Sequence, residues 1–162
     1  MVTLQRITTE YVDQEDRVRF SGESNHGETI SFWMTQRLLS RVIASILPWV
    51  AQGDDPHVEL KNTFAQQAAR AGLEPQGPVV APSTSLLVST VDITQGAEHL
   101  TLTFKTSAEA LAKLTLRRQD VRQWLNILHD TWRRAAWSMS VWPQWMEEGT
   151  AETELKARAL LH

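Results

Sequence analysis

The chain has 162 residues, of which 42% are hydrophobic and 22% charged, and its formal net charge is −3. This size suits one compact domain, and the slightly acidic balance disfavours a protein that coats nucleic acid. The chain contains no cysteine, which excludes disulfide frameworks, iron–sulfur clusters, thiolate zinc sites and cysteine nucleophiles.

The first third of the chain predicts three β-strands. Residues 2–12 are rich in β-branched side chains, and residues 17–20 and 28–34 alternate between polar and apolar side chains, as half-buried strands do. The segments between them, 13–16 and 24–27, carry the acidic, Asn and Gly residues that are typical of turns. Because connections this short join antiparallel neighbours, the three strands predict a β-meander.

Two helices are predicted next. Thr35 is a favourable N-cap for a helix with apolar residues every three or four positions, and Pro48 predicts that this helix kinks or ends nearby. A second, weaker helix is predicted from Asp55 to Ala71. We interpret the two as a helical hairpin. The apolar side of the second helix consists of Leu60, Phe64 and Ala68.

The second half of the chain predicts another meander and a long helix. Residues 74–84 hold three prolines and one glycine, and they form an extended connector at the best internal boundary. Strands are predicted over 86–93, 99–105 and 110–116. A helix with an apolar stripe follows from about residue 118 to residue 137.

The two halves match in their apolar pattern when the sequence is shifted by 82 positions. Val18 then pairs with Leu100 and Phe32 with Leu114, but almost no identical residues accompany the match. An internal repeat and a coincidence of spacing both stay open. The predicted fold is α+β: two antiparallel three-stranded meanders, stacked as a sandwich or covered by helices, with an inserted helical hairpin and a C-terminal helix.

We expect a single domain over residues 1–137, with halves 1–73 and 85–137 joined by the connector 74–84, and a C-terminal extension over 138–162. No stretch reaches the roughly 18 apolar residues that cross a bilayer. The first residues lack the apolar core of a signal peptide. We therefore expect a cytoplasmic protein.

The sequence shows no motif for catalysis, for a metal or for a cofactor. Its five histidines have no metal-ligand spacing, its glycines form no phosphate-binding loop, and no serine lies in a nucleophile elbow. We interpret the densest acid–histidine group as the solvated start of the second helix rather than a cation site. That group is Asp54, Asp55, His57 and Glu59. We expect a non-catalytic protein, although a site assembled from residues distant in sequence is an alternative.

Five of the seven tryptophans lie between residues 117 and 145, together with several arginines. Trp124 and Trp132 fall on the apolar stripe of the last helix, whereas the other three fall outside it and are not expected to share the same core. Large aromatic side chains and arginine are enriched in protein–protein interfaces. The predicted interface residues are Trp137, Trp142, Trp145, Arg133 and Arg134.

These features favour a non-catalytic protein-interaction module, an adaptor, scaffold or assembly factor, that binds a protein partner and self-associates as a homodimer. The alternative is nucleic-acid binding, with arginines on phosphates and tryptophans stacked on bases. The residues for it are Arg117, Arg118, Arg122 and Arg133. The acidic overall balance favours the protein partner. Membrane-surface binding is disfavoured because Glu147 and Glu148 follow the aromatic segment.

Overall fold

The computed structural model describes residues 1–51, 53 and 57–147 and has the predicted α+β fold. Within these residues a 3₁₀ turn over Met139–Val141 and a helical turn over 144–147 follow the last long helix. No helix in this part of the chain is both long enough and apolar enough to cross a membrane. The strands and longer helices are, in chain order, β1 Val2–Val12, β2 Arg17–Ser24, β3 Thr29–Met34, α1 Gln36–Val50, α2 Val58–Ala71, β4 Leu86–Leu87, β5 Thr90–Gln95, β6 His99–Lys105, β7 Ala110–Arg117 and α3 Arg118–Ala135.

The strands form one sheet in the order β4-β3-β2-β1-β7-β6-β5. β1, β2 and β3 are consecutive antiparallel neighbours, and so are β5, β6 and β7. The two triplets join edge to edge, because the start of β1 pairs in parallel with β7. Leu4, for example, lies opposite Leu114. Of the two predicted arrangements, the described residues therefore form the one in which helices cover a sheet, and not a stacked sandwich.

The sheet is curled, and only residues 88 and 89 connect its two outermost strands. The predicted strand 86–93 is in fact two strands, β4 on the edge of β3 and β5 on the edge of β6. Between them the Val88 N–H donates to the Trp33 carbonyl, and the next N–H donates to the carbonyl at the end of β6. Phe32 on β3 and Phe104 on β6 consequently have ring centroids only 4.7 Å apart. The concave side of the sheet encloses the core.

Helices α1 and α3 cover the concave side of the sheet. The Thr35 hydroxyl caps α1 by accepting a bond from the Leu38 N–H at 3.2 Å, and the helix ends two residues after Pro48. The apolar positions that match under the shift of 82 residues are buried in both helices. Corresponding positions of α1 and α3 therefore face the core. These are Leu39, Val42, Ile43, Ile46 and Val50 in α1, and Val121, Trp124, Leu125, Leu128 and Trp132 in α3.

Helix α2 packs differently from the prediction. The hairpin interpretation paired it with α1, whereas its main contact is with α3. The Gln123 side chain on α3 donates to the Ala69 carbonyl of α2 at 3.3 Å. The described helix begins at Val58 with His57 as its N-cap, and the predicted cap Asp55 lies outside the described residues.

The chain after α3 folds back onto the domain, although the sequence predicted an extension from residue 138. Ala136 has a left-handed φ of 56°, which ends α3 and reverses the chain. Trp142, Trp145 and Met146 then join the same buried cluster as the sheet. The remainder of the predicted extension, residues 148–162, lies outside the described residues.

Candidate interaction surface

The contact between α2 and α3 consists of buried polar residues. Asn62, Thr63 and Gln66 on α2 are buried, and so is Arg122 on α3. The Arg122 guanidinium donates to Asn62 Oδ1 at 2.8 Å, to Gln66 Oε1 at 3.3 Å and to the Val50 carbonyl at 3.2 Å. Gln66 Nε2 in turn donates to the Arg122 carbonyl at 2.8 Å. Neutral oxygen atoms therefore surround a buried cation.

Burial changes the acidity of this cation. It lowers the pKa of Arg122 to about 10, and repulsion from the nearby Arg118 adds to the shift. The guanidinium still carries its charge at neutral pH. Since a buried charge without hydrogen bonds is strongly destabilising, the acceptors on α2 must face α3.

The apolar side of α2 consequently faces solvent. Leu60 is 53% exposed and Phe64 is 56% exposed, and Ala68 and Ala71 are exposed as well. These four residues are spaced by four, four and three positions, so they form one stripe along the helix. We call it the α2 stripe. The predicted grouping of Leu60, Phe64 and Ala68 on one side is confirmed, but that side does not pack in a hairpin.

This orientation reverses the usual one for a helix on a globular domain. Such helices turn apolar residues towards the core and polar residues towards water, whereas α2 buries Asn62 and Gln66 and exposes Leu60 and Phe64. The buried polar side is hydrogen bonded, so the orientation is stable. A contiguous apolar surface of this kind is typical of an interaction site.

The sequence holds a signal for this orientation that our prediction missed. The side of α2 opposite the stripe carries the uncharged residues Asn62, Thr63 and Gln66. A solvent-facing side more often carries Lys and Glu, because these side chains are almost never fully buried. Uncharged amides and hydroxyls are easier to bury once they find partners. The partner, Arg122, lies 56 residues from Gln66.

A cleft of about 500 Å³ opens where β1 separates from β7. Its walls are β1, α3 and the segment Gly72–Val79, which includes the start of the connector. Two of its charged side chains are already paired: Arg6 lies 2.7 Å from Glu23, and Asp120 lies 3.1 Å from Arg117. The described lining contains no histidine, lysine or serine. Within these residues, the cleft brings together no nucleophile and histidine base.

The three tryptophans that were predicted as interface anchors are buried. Trp137, Trp142 and Trp145 are 9%, 6% and 5% exposed. Trp137 packs edge-on against Trp132 with a centroid distance of 4.8 Å, and its Nε1 donates to Asp16 Oδ1 at 3.1 Å. The expectation that these side chains cannot share the core is wrong.

The reversal at Ala136 explains the error. The prediction placed Trp137 on a helix that has already ended and placed Trp142 and Trp145 in an extension, whereas the returning chain covers the side of α3 that does not face the sheet. There the Trp142 ring lies 5.1 Å from the His129 ring, and the Arg122 guanidinium lies 5.5 Å from the centre of the Trp145 ring. These tryptophans cover buried polar groups of α3 and do not form an outer surface.

Of the arginines suggested for nucleic-acid binding, Arg118 and Arg122 line one small cleft together, and Arg117 is not part of that lining. Arg122 is buried in the α2 contact. Arg118 lies over the Trp49 ring at 4.2 Å and donates to the Trp49 carbonyl. Arg117 is exposed, and its guanidinium bonds Asp120. Nucleic-acid binding stays a prediction, in which Arg122 would take little part because its guanidinium is buried and already hydrogen bonded.

The two arginines that were predicted to lie in a protein interface, Arg133 and Arg134, are exposed in the last turn of α3. This position suits them, because positive charge stabilises the C-terminal end of a helix. Arg133 also lies 3.8 Å from the Glu147 carboxylate, whose other oxygen lies 2.9 Å from Nε2 of the buried His129. Arg133 therefore helps to hold the returning chain against α3.

Comparison of the chain with protein-family models, with curated proteins and with solved structures gave no match. Among the described residues, the α2 stripe is one apolar surface that the packing of the domain itself does not explain.

Proposed function

We propose that this protein is a non-catalytic protein-interaction module, an adaptor, scaffold or assembly factor, and that it binds through the α2 stripe. The observation that carries the proposal is that α2 buries a bonded polar side and exposes Leu60 and Phe64. Removal of such apolar side chains from water drives protein association, and large aromatic residues are frequent anchors of interfaces.

The surroundings of the stripe suit a protein partner. Lys61 and Gln67 lie on either side of it along α2, so an apolar centre has a polar rim, as in many protein–protein interfaces. We propose a protein partner with an apolar surface of similar width, and a second copy of this chain is one candidate. The cytoplasmic location stays a prediction.

A photoreactive benzophenone amino acid at position 64 tests this proposal in cells that produce the protein. The substitute is aromatic, so the stripe keeps its apolar character. The matched control carries the same group at Val80, an exposed apolar residue of the connector. We expect a covalent adduct with a protein from position 64 and none from position 80. If position 64 yields no protein adduct beyond that of position 80, the proposal is wrong.

A further inference from the structure

We infer that residues 57–76 undock from α3 as one unit while the rest of the described domain stays folded. We call this segment the α2 arm. It consists of α2 with its N-cap and of residues 72–76, which follow the helix. Undocking does not require a partner at the α2 stripe, so this movement goes beyond the proposed function and does not depend on it.

The α2 arm lies outside the hydrophobic core. No described residue between positions 52 and 87 belongs to the cluster of apolar side chains that the sheet encloses. Helix α2 buries one alanine and three polar residues, which are Asn62, Thr63 and Gln66. Undocking therefore exposes little apolar surface, whereas burial of such surface is the main force that holds α1 and α3 in place.

Polar contacts hold the arm against α3. The hydrogen bonds of Arg122 join the two helices, and the Gln123 side chain donates to the Ala69 carbonyl at 3.3 Å. Arg70 in the last turn of α2 lies 3.6 Å from the Asp130 carboxylate. When the arm moves away, water replaces these partners and hydrates the Arg122 guanidinium, so no charge stays buried without hydrogen bonds. Each contact therefore opposes undocking only weakly.

The chain is fixed to the domain directly after the arm. The Gly77 carbonyl accepts a bond from the Arg6 guanidinium at 2.9 Å, and the Val79 N–H donates to the Thr8 hydroxyl at 2.8 Å. Both contacts are made with β1 and not with α3, so they can persist when the arm moves. Since residues 72–76 line the cleft between β1 and β7, undocking also removes part of one wall of that cleft.

Hydrogen exchange of the wild-type chain, followed by mass spectrometry, tests the inference without any substitution. We expect the amides of α2 to exchange at least about 100-fold faster than those of α1 and α3. Their exchange should also depend less on urea below the unfolding transition, because undocking exposes little surface. Equal rates in all three helices would overturn the inference, since α2 would then open only when the whole domain unfolds.

A core variant and an arm variant separate undocking from global unfolding. Ile43 is fully buried in α1, so Ile43→Val should speed the exchange of α1 about 2- to 10-fold. Exchange in α2 should stay unchanged, because the arm opens while the core is intact. Gln66→Ala removes two hydrogen bonds to Arg122 and should speed exchange in α2 about tenfold or more. Acceleration of α2 by Ile43→Val as large as that of α1 would overturn the inference.

Introduced thiols show whether the helix leaves α3 or only frays in place. The chain has no cysteine, and two fully buried alanines, Ala69 on α2 and Ala112 on β7, offer matched positions. We expect the thiol of Ala69→Cys to react with dithionitrobenzoate at least about 100-fold faster than that of Ala112→Cys. Equally slow reaction at the two positions would overturn the inference, because the inner side of α2 would then stay against α3.

Discussion

At the scale of single residues, Arg122 determines which side of α2 faces the domain. Its three hydrogen bonds reach the end of α1 and two residues of α2. We expect Arg122→Ala to lower the free energy of unfolding by about 3 kcal/mol, because it leaves buried acceptors without a donor. Urea denaturation measures this loss. Arg134→Ala, which removes an exposed arginine of the same helix, should change it by less than about 0.5 kcal/mol. Equal effects of the two substitutions would show that the Arg122 network contributes little.

Tyr11 is the single tyrosine of the chain, so its titration can be followed by absorbance. Its hydroxyl donates to Asp16 Oδ1 at 2.7 Å. This hydrogen bond, followed by burial and by the negative charge of Asp16, raises the pKa of Tyr11 to about 12. We expect the midpoint of the Tyr11 titration in Asp16→Asn to fall towards the ordinary pKa of tyrosine. Asparagine also tolerates the φ of 49° at this position, so the turn is kept. An unchanged midpoint would contradict the assigned cause.

The same contact makes stability depend on pH through Asp16. Hydrogen bonds from Tyr11 and Trp137 lower the pKa of Asp16. The resulting stabilisation is present above the pKa that the carboxyl group has in the unfolded chain, and it is lost as the pH falls through the lower pKa of the folded state. The difference in Tm between the wild-type chain and Asp16→Asn should therefore shrink between about pH 6 and about pH 2.

At the scale of elements, residues 138–147 act as a cover for α3. Trp142 is buried between His129 and Trp132, so we expect Trp142→Ala to destabilise the domain by about 3–5 kcal/mol without changing its association. Trp33 provides the control, because it is half-buried on β3 beneath Arg19, and Trp33→Ala should cost about 1 kcal/mol. Thermal unfolding and sedimentation together measure both effects. Weaker association of Trp142→Ala at unchanged stability would restore the interface role that the sequence suggested.

The elements differ in how far the sequence predicts them. The strands and α1 could be located because their signals are local: alternation of side chains in the strands, and a cap at Thr35 followed by an apolar period. The contact of α2 could not be predicted, since it depends on Arg122, which lies 60 residues from Asn62. The apolar side of α2 was visible in the sequence, but its exposure follows only from that distant partner.

At the scale of the whole molecule, the same limit applies to the sheet. Each meander can be predicted from its short connections, whereas the contacts that join the two meanders are between residues far apart in the sequence. The parallel pair of β1 and β7 joins residues about 110 positions apart, Val2 with Ala112, and no local pattern encodes it. The prolines identified the connector. They did not indicate that the predicted strand after it divides between the two edges of the sheet.

The contacts between the two halves imply that neither half of the described domain is a folding unit by itself. Phe20 on β2 packs against Phe104 on β6 at 5.9 Å and against Trp124 on α3 at 5.8 Å, so each half completes the core of the other. We expect fragments 1–84 and 85–162 to give poorly dispersed amide NMR spectra when produced separately, because neither buries its apolar face alone. Mixed in equal amounts, they should form a one-to-one complex with a dispersed spectrum. A dispersed spectrum from either fragment alone would show that the two matching halves are independent domains.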